Sequence, residues 1–200
     1  MNLLDATIAL QDMSIALTLT EKSIASVAKR FRSDLRNLAV LGFVSDSSIL
    51  ADVRRLVKQA VEDAYVEGLA EGNVSADEMS EDDALMIIEL NTNQQDYVTD
   101  FVRAIREAKG DKVLQRNILD TRVDLWAASI EAAGMQGLAS AKANEMVVWR
   151  LGSTEEHCRT CRQLDGQRHR RKWFADRNYF PQTPGADLEC GGFNCLCVLK

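Results

Sequence analysis

Apolar residues recur every three or four positions through roughly the first 145 residues, and then that rhythm stops. From Leu3 to Leu38, the stripe Ile8, Ile15, Leu19, Ile24, Val27 and Phe31 predicts a helix. Its β-branched and hydroxyl residues around Ser14–Thr20 have low helix propensity. Arg30, Arg32 and Arg36 sit toward its C-terminal end, where the helix dipole favours positive charge. Gly42 and Ser45-Asp46-Ser47 then mark a break and a new N-cap. A second helix follows from Ser48 to Glu71, with Ile49, Val53, Leu56, Val57, Ala60, Val61, Ala64 and Leu69 largely on one face and Gly72-Asn73 as its stop. The acidic stretch up to Asp83 reads as a surface turn and a solvated helix start. A third helix runs from Asp83 to Lys109, with Tyr97, Val98, Phe101, Val102 and Ile105 on its buried side and Gly110 behind it. A fourth spans Lys112 to Asn144 and includes Leu114, Ile118, Val123, Trp126 and Ile130; Gly134 and Gly137 weaken it. No proline interrupts Met1–Leu151. Tyr97 and Trp126 are expected to be core aromatics.

At Glu145 the pattern changes. Val147, Val148 and Trp149 are strand formers, so Glu145–Leu151 predicts a short strand, after which Gly152-Ser153 turns the chain. Leu164-Asp165-Gly166 reads as a hairpin turn, giving a strand–turn–strand around Cys158-Arg-Thr-Cys161. Pro181 and Pro184-Gly185 form a rigid loop that delivers the chain to Cys190-Gly-Gly-Phe-Asn-Cys195-Leu-Cys197. The fold class expected is therefore mainly α: an elongated body of about four long helices (residues 1–146) and a small, β-containing, zinc-ribbon-like module (residues 147–200).

All five cysteines and both histidines lie in that module. A Cys-x2-Cys pair followed by a second tight cysteine cluster is the spacing of a thiolate metal site. A segment of some fifty residues with little apolar surface cannot bury enough to fold by itself. Thiolates closing on Zn²⁺ supply on the order of 10 kcal/mol in a unit of this size. Cys158 and Cys161 give one pair of ligands and Cys190 and Cys195 the other; Cys197 competes for the fourth place, because alternate residues of an extended segment face the same way. One or two disulfides, or free buried thiols, are the competing states. His157 is expected to point away from Cys158 into solvent, and His169 to belong to a polar run. No third residue orients a Cys–His pair, and no glycine-rich phosphate loop or Ser/His/Asp set occurs, so a non-enzyme is expected.

Charge changes the picture little. The net charge is −6, with the acidic excess in the helical part. Arg168, Arg170, Arg171, Lys172 and Trp173 form a local basic and aromatic stretch that suits nucleic acid as an alternative function, but nearby Asp165, Asp176, Asp187 and Glu189 dilute it. No apolar run approaches the ~18–20 residues that span a bilayer. The N-terminal residues lack the basic flank of a secretion signal, so cytosolic synthesis and reduced thiols are expected.

Trp149, Cys158-x2-Cys161, Leu164-Asp165-Gly166 and the closing Asn194-Cys195-x-Cys197 together resemble the C-terminal module of the phage Mu-type minor head proteins, the phage head morphogenesis family. That family carries a strand Trp, a Cys-x2-Cys pair, a Leu-Asp-Gly turn and a terminal Asn-Cys-Arg-Cys, often with a His-Pro before it. Gly192-Phe193 stand at the His-Pro position, with Cys190 in the histidine's ligand role, and Leu196 replaces the usual Arg. Leu119-Asp-Thr121-Arg122 is a degenerate echo of the family's Arg-Thr-Glu helix signature. The resemblance covers about the last fifty residues. It implies a non-enzymatic minor head protein that associates with portal or major capsid protein during head assembly, in the bacterial host cytoplasm and then in the virion head. Self-association is compatible with it, DNA contact is not favoured, and no membrane is involved.

Overall fold

The computed structural model describes residues 23–40, 46–153, 156–183, 185–192 and 195–200. Four long helices make the body: α1 (Ile24–Val40), α2 (Asp46–Glu71), α3 (Glu81–Glu107) and α4 (Lys112–Ala141). The expected helical stretch before residue 23 and the break at Gly42 lie outside the described residues. Ile24, Val27, Ala28, Phe31 and Leu35 line α1 at helical spacing, and Val53, Val57, Ala60, Val61 and Ala64 line α2; all are buried. These stripes close around Trp126 of α4, against which Phe31 and Phe101 stand edge-on with ring centroids 6.3 and 5.3 Å away.

The most extensive helix pairing, α2 with α4, depends on glycine. A Cβ on Gly68 would stand 1.9 Å from the Gly134 carbonyl oxygen, and one on Gly137 would stand 2.1 Å from that of Tyr65. Gly134 and Gly137 were expected to weaken α4; they are where its backbone meets α2. The propensity they cost is offset by the closeness of the crossing.

Two further readings are corrected. Tyr97 is half-exposed (50%), because the buried stripe of α3 centres on Val98, Phe101, Val102 and Ile105 and leaves the residue before Val98 at its edge. The Arg122 guanidinium lies 5.5 Å from the Tyr97 ring. Asp83 is buried at 5% exposure instead of solvated. One oxygen accepts from Tyr65 Oη (2.7 Å) and Ser140 Oγ (2.6 Å); the other accepts from the amide and hydroxyl of Ser80, the N-cap of α3 (3.0 and 2.6 Å). Burial alone would raise the Asp83 pKa, but hydrogen bonds from Ser140, Ser80 and Tyr65 overcome it and hold the carboxyl below the ordinary aspartate range. Burial and the Asp83 contact push the Tyr65 phenol upward. A capping box thus doubles as a tie between α2, α3 and α4.

After α4 the chain enters β1 (Met146–Arg150), the short helix α5 (Arg159–Leu164), β2 (Arg168–Arg170), the short helix α6 (Arg171–Ala175) and finally β3 (Val198–Leu199). β1 is central in the order β2–β1–β3, antiparallel to both neighbours, with Val147 opposite His169 and Trp149 opposite Leu199. Val147 and Trp149 face inward and Met146 and Arg150 outward, as a strand half-covered by a core requires. A second core gathers Trp149, Leu164, Phe174, Phe180 and Leu188 with Cys161, Cys195 and Cys197. The module is fastened to the end of α4 by hydrogen bonds from the Arg171 amide to the Glu145 carbonyl (2.8 Å) and from the Lys172 amide to that of Ala143 (3.1 Å). Among the described residues no helix is long and apolar enough to cross a membrane.

Candidate metal centre

The strand–turn–strand expected around Cys158 and Cys161 is a helix–turn–strand. Cys158 is the N-cap of α5, and its sulfur accepts the Cys161 amide at 3.4 Å, the place a serine oxygen takes in an ordinary cap. The two-residue spacing thereby puts both sulfurs on one end of a helical turn. Leu164–Gln167 then forms a turn closed by Gln167 N–H to Leu164 O (2.9 Å), with Asp165 at φ −54° and ψ 128°. Only Gly166 takes positive φ (76°), as a type II turn demands. The turn leads from helix to strand instead of joining a hairpin.

Loop residues that carry no motif bring the other cysteines in. The Glu189 carboxylate accepts the Arg159 amide (2.6 Å), while the Glu189 amide donates to Thr160 Oγ1 (3.2 Å). This reciprocal clamp holds Cys190 beside the start of α5. On the other side, Gln182 Nε2 donates to the Cys197 carbonyl (2.9 Å). A Cβ on Gly152 would stand 1.9 Å from the Leu196 carbonyl oxygen, so the end of β1 lies directly against the Cys195–Cys197 segment.

The five sulfurs converge. Those of Cys158, Cys161 and Cys190 lie mutually within 4.8 Å, as do those of Cys161, Cys195 and Cys197. Cys161 and Cys195 are 3.8 Å apart, and no cysteine is in a disulfide. Cys161, Cys195 and Cys197 are buried, whereas Cys158 and Cys190 are half-buried. His157 does not point into solvent: its Nδ1 is 3.8 Å from Cys197 Sγ. The alternation that turns it from Cys158 turns it toward the last cysteine, a relation invisible until the C-terminal segment is placed.

Burial opposes charge on every one of these thiols. At Cys158 and Cys195 it is outweighed by hydrogen bonds from backbone amides and neighbouring thiols, which lower the pKa below the ordinary thiol value. At Cys161, Cys190 and Cys197 burial wins and the pKa rises. A cation among these closely packed thiols would favour their ionised forms against the opposition of burial. The cluster can hold a metal ion.

The basic stretch is spread over several local partners. Arg170 Nη1 donates to Asn144 Oδ1 (3.1 Å), Arg171 is paired with Glu145 (2.6 Å), and Lys172 Nζ is 3.0 Å from Asp176. Trp173 stacks on His169 (3.8 Å, 13° between planes), and the Arg177 guanidinium lies 4.1 Å from the Trp173 ring centre. Arg168 is exposed on β2. Comparison of the chain with protein-family models, curated proteins and solved structures finds no match.

Proposed function

We propose that the chain is a non-enzymatic assembly protein of the phage head, a minor head protein that docks on portal or major capsid protein through a helical body carrying a zinc-stabilised tip. One observation carries the reading: the residues of the suspected head-protein motif are parts of one folded unit. The Trp149 amide donates to the Gln167 carbonyl (3.1 Å), and its carbonyl accepts from the Gly166 amide (3.0 Å). Asp165 Oδ1 accepts the Leu151 amide (3.2 Å), and Leu164 packs with Trp149 and three of the cysteines. A strand Trp, a Leu-Asp-Gly turn and paired cysteines therefore belong together for a physical reason.

Zinc fits the donors. Among the described residues the grouped ligand atoms are all cysteine sulfurs, with an imidazole nitrogen beside one of them, and soft ligands of this kind suit zinc, as they also suit Cu(I) and iron–sulfur clusters. Two sulfurs on one tetrahedral zinc, at ~2.3 Å each, stand about 3.8 Å apart, which is the Cys161–Cys195 separation. Bound there, the ion would neutralise buried thiolates and tie α5 to the C-terminal segment, which is structural work. The pairing of Arg171 and Lys172 with acidic side chains, and the groups already stacked on Trp173, count against nucleic acid as the partner.

The test is assembly in bacterial cells that express the chain with portal and major capsid proteins. The expected result is co-sedimentation with portal rings or procapsid shells. Shells and portals that sediment while all of this chain stays at the top of the gradient would end the reading.

A further inference from the structure

We infer that the cysteine cluster is a two-ion site in which the Cys161 sulfur bridges two closed-shell, thiophilic divalent cations, each held by one trio of cysteines. The inference rests on the zinc reading above and goes further in ion number and ligand set.

A single tetrahedral ion needs four donors all about 3.8 Å from one another. No four of the five sulfurs fall within even 4.8 Å of each other; the cluster resolves into two trios that share only Cys161. The trio Cys161, Cys195 and Cys197 is buried throughout; His157 Nδ1 stands 3.8 Å from Cys197 Sγ but does not lie within 4.8 Å of all three sulfurs. The trio Cys158, Cys161 and Cys190 has two half-buried members, so water reaches the fourth position of its ion.

Sharing Cys161 is chemically ordinary. A deprotonated thiolate carries one carbon substituent and three lone pairs, enough to bind two cations at once. Two divalent ions against five thiolates leave one net negative charge, whereas a single ion among four thiolates leaves two. A one-ion site would instead strand Cys158 and Cys190 as neighbouring free thiols at the mouth of the cluster.

The two ions differ in accessibility, so they leave separately. The outer one, with three protein ligands and a water, goes to a chelator first; the inner one goes later and takes the tip's fold with it.

The experiment uses the full chain loaded with ¹¹³Cd²⁺, a closed-shell substitute with an NMR-active nucleus. Native mass spectrometry is expected to show two ions per chain, and the spectrum two cadmium resonances split by coupling through the shared sulfur. Cys190→Ser should reduce the count from two to one while the remaining resonance keeps its shift and loses its splitting. One ion per chain at saturation overturns this inference and leaves a structural metal in place. Two ions without mutual coupling overturn the bridge. No bound ion overturns both this inference and the zinc reading.

Discussion

The body and the tip solve the same problem, a stable interior, by opposite means. The body spreads its core over four helices, gathering Val53, Val57, Val98, Val123, Ile130 and two phenylalanines into one cluster with Trp126. The tip has a comparable tryptophan, Trp149, but its elements are three strands of five residues or fewer, two short helices and loops. Three cysteines take places in that core that aliphatic side chains occupy in the body. Apolar periodicity can build the first kind of interior; the second brings a few donors together from distant points of the chain, and on the reading proposed above an ion offsets the cost of their burial.

The sharpest way to break this comparison is to remove the proposed metal. Chelation of the full chain, or Cys161→Ser, should cost the tip on the order of 10 kcal/mol of folding free energy and expose residues 146–200 to hydrogen exchange. Protection across α1–α4 should persist. Loss of protection in both regions together would mean that the tip is part of one cooperative unit. Trp126→Ala should do the reverse, costing about 3–5 kcal/mol in urea unfolding of the body while leaving metal content unchanged.

Gly68→Ala places a methyl against backbone, which cannot swing aside, so a loss of about 3 kcal/mol is expected. Gly110→Ala is its control for space, since a Cβ there meets nothing within 4 Å, although its positive φ (96°) still adds strain.

Acid should separate the regions as well. The Asp83 carboxyl is held below the ordinary range, so its stabilising contribution is fully present above the unfolded-state pKa of about 3.9. It is lost as pH falls through the lower folded value. Asp83→Asn should cost about 2 kcal/mol at neutral pH and flatten the acid limb of the body's stability curve. The tip, whose ligands must stay deprotonated, should release metal at higher pH than the body unfolds, as followed by a zinc-sensitive dye during acid titration. The smallest effect belongs to the exposed Lys172–Asp176 pair: Lys172→Ala should shift stability by no more than about 0.5 kcal/mol in the same urea assay.

How much of this could be read from sequence follows the same division. Stripes such as Ile49, Val53, Val57 and Val61 announce helices because burial and helical period coincide in one segment. The β1 strand was legible for a similarly local reason, and so was the pairing of Cys158 with Cys161 that the fold gathers into a cluster able to hold a metal ion. Which helix faces which is a tertiary property, so Gly134 and Gly137 looked like weak points, and Asp83 looked like one more surface carboxylate in an acidic run. Tyr97 was misplaced because a residue beside a stripe differs from one within it by a single step of helical rotation. In the tip, His157, Glu189 and Gly152 act through partners 30 to 40 or more residues away, and no spacing rule reaches that far.

The α2–α4 crossing has a consequence for recognising kin of this chain. Gly68 meets the Gly134 backbone, Gly72 meets Ala141, Gly137 meets the Tyr65 backbone and Gly134 leaves room for Ile24 of α1, all so closely that any homologue keeping this packing must retain tiny residues at these places. The pattern Gly-x3-Gly, followed some sixty residues later by Gly-x2-Gly-x3-Ala, is thus a signature of the body, independent of the cysteines. A search keyed to it would find chains that share the scaffold even where another tip has replaced this one.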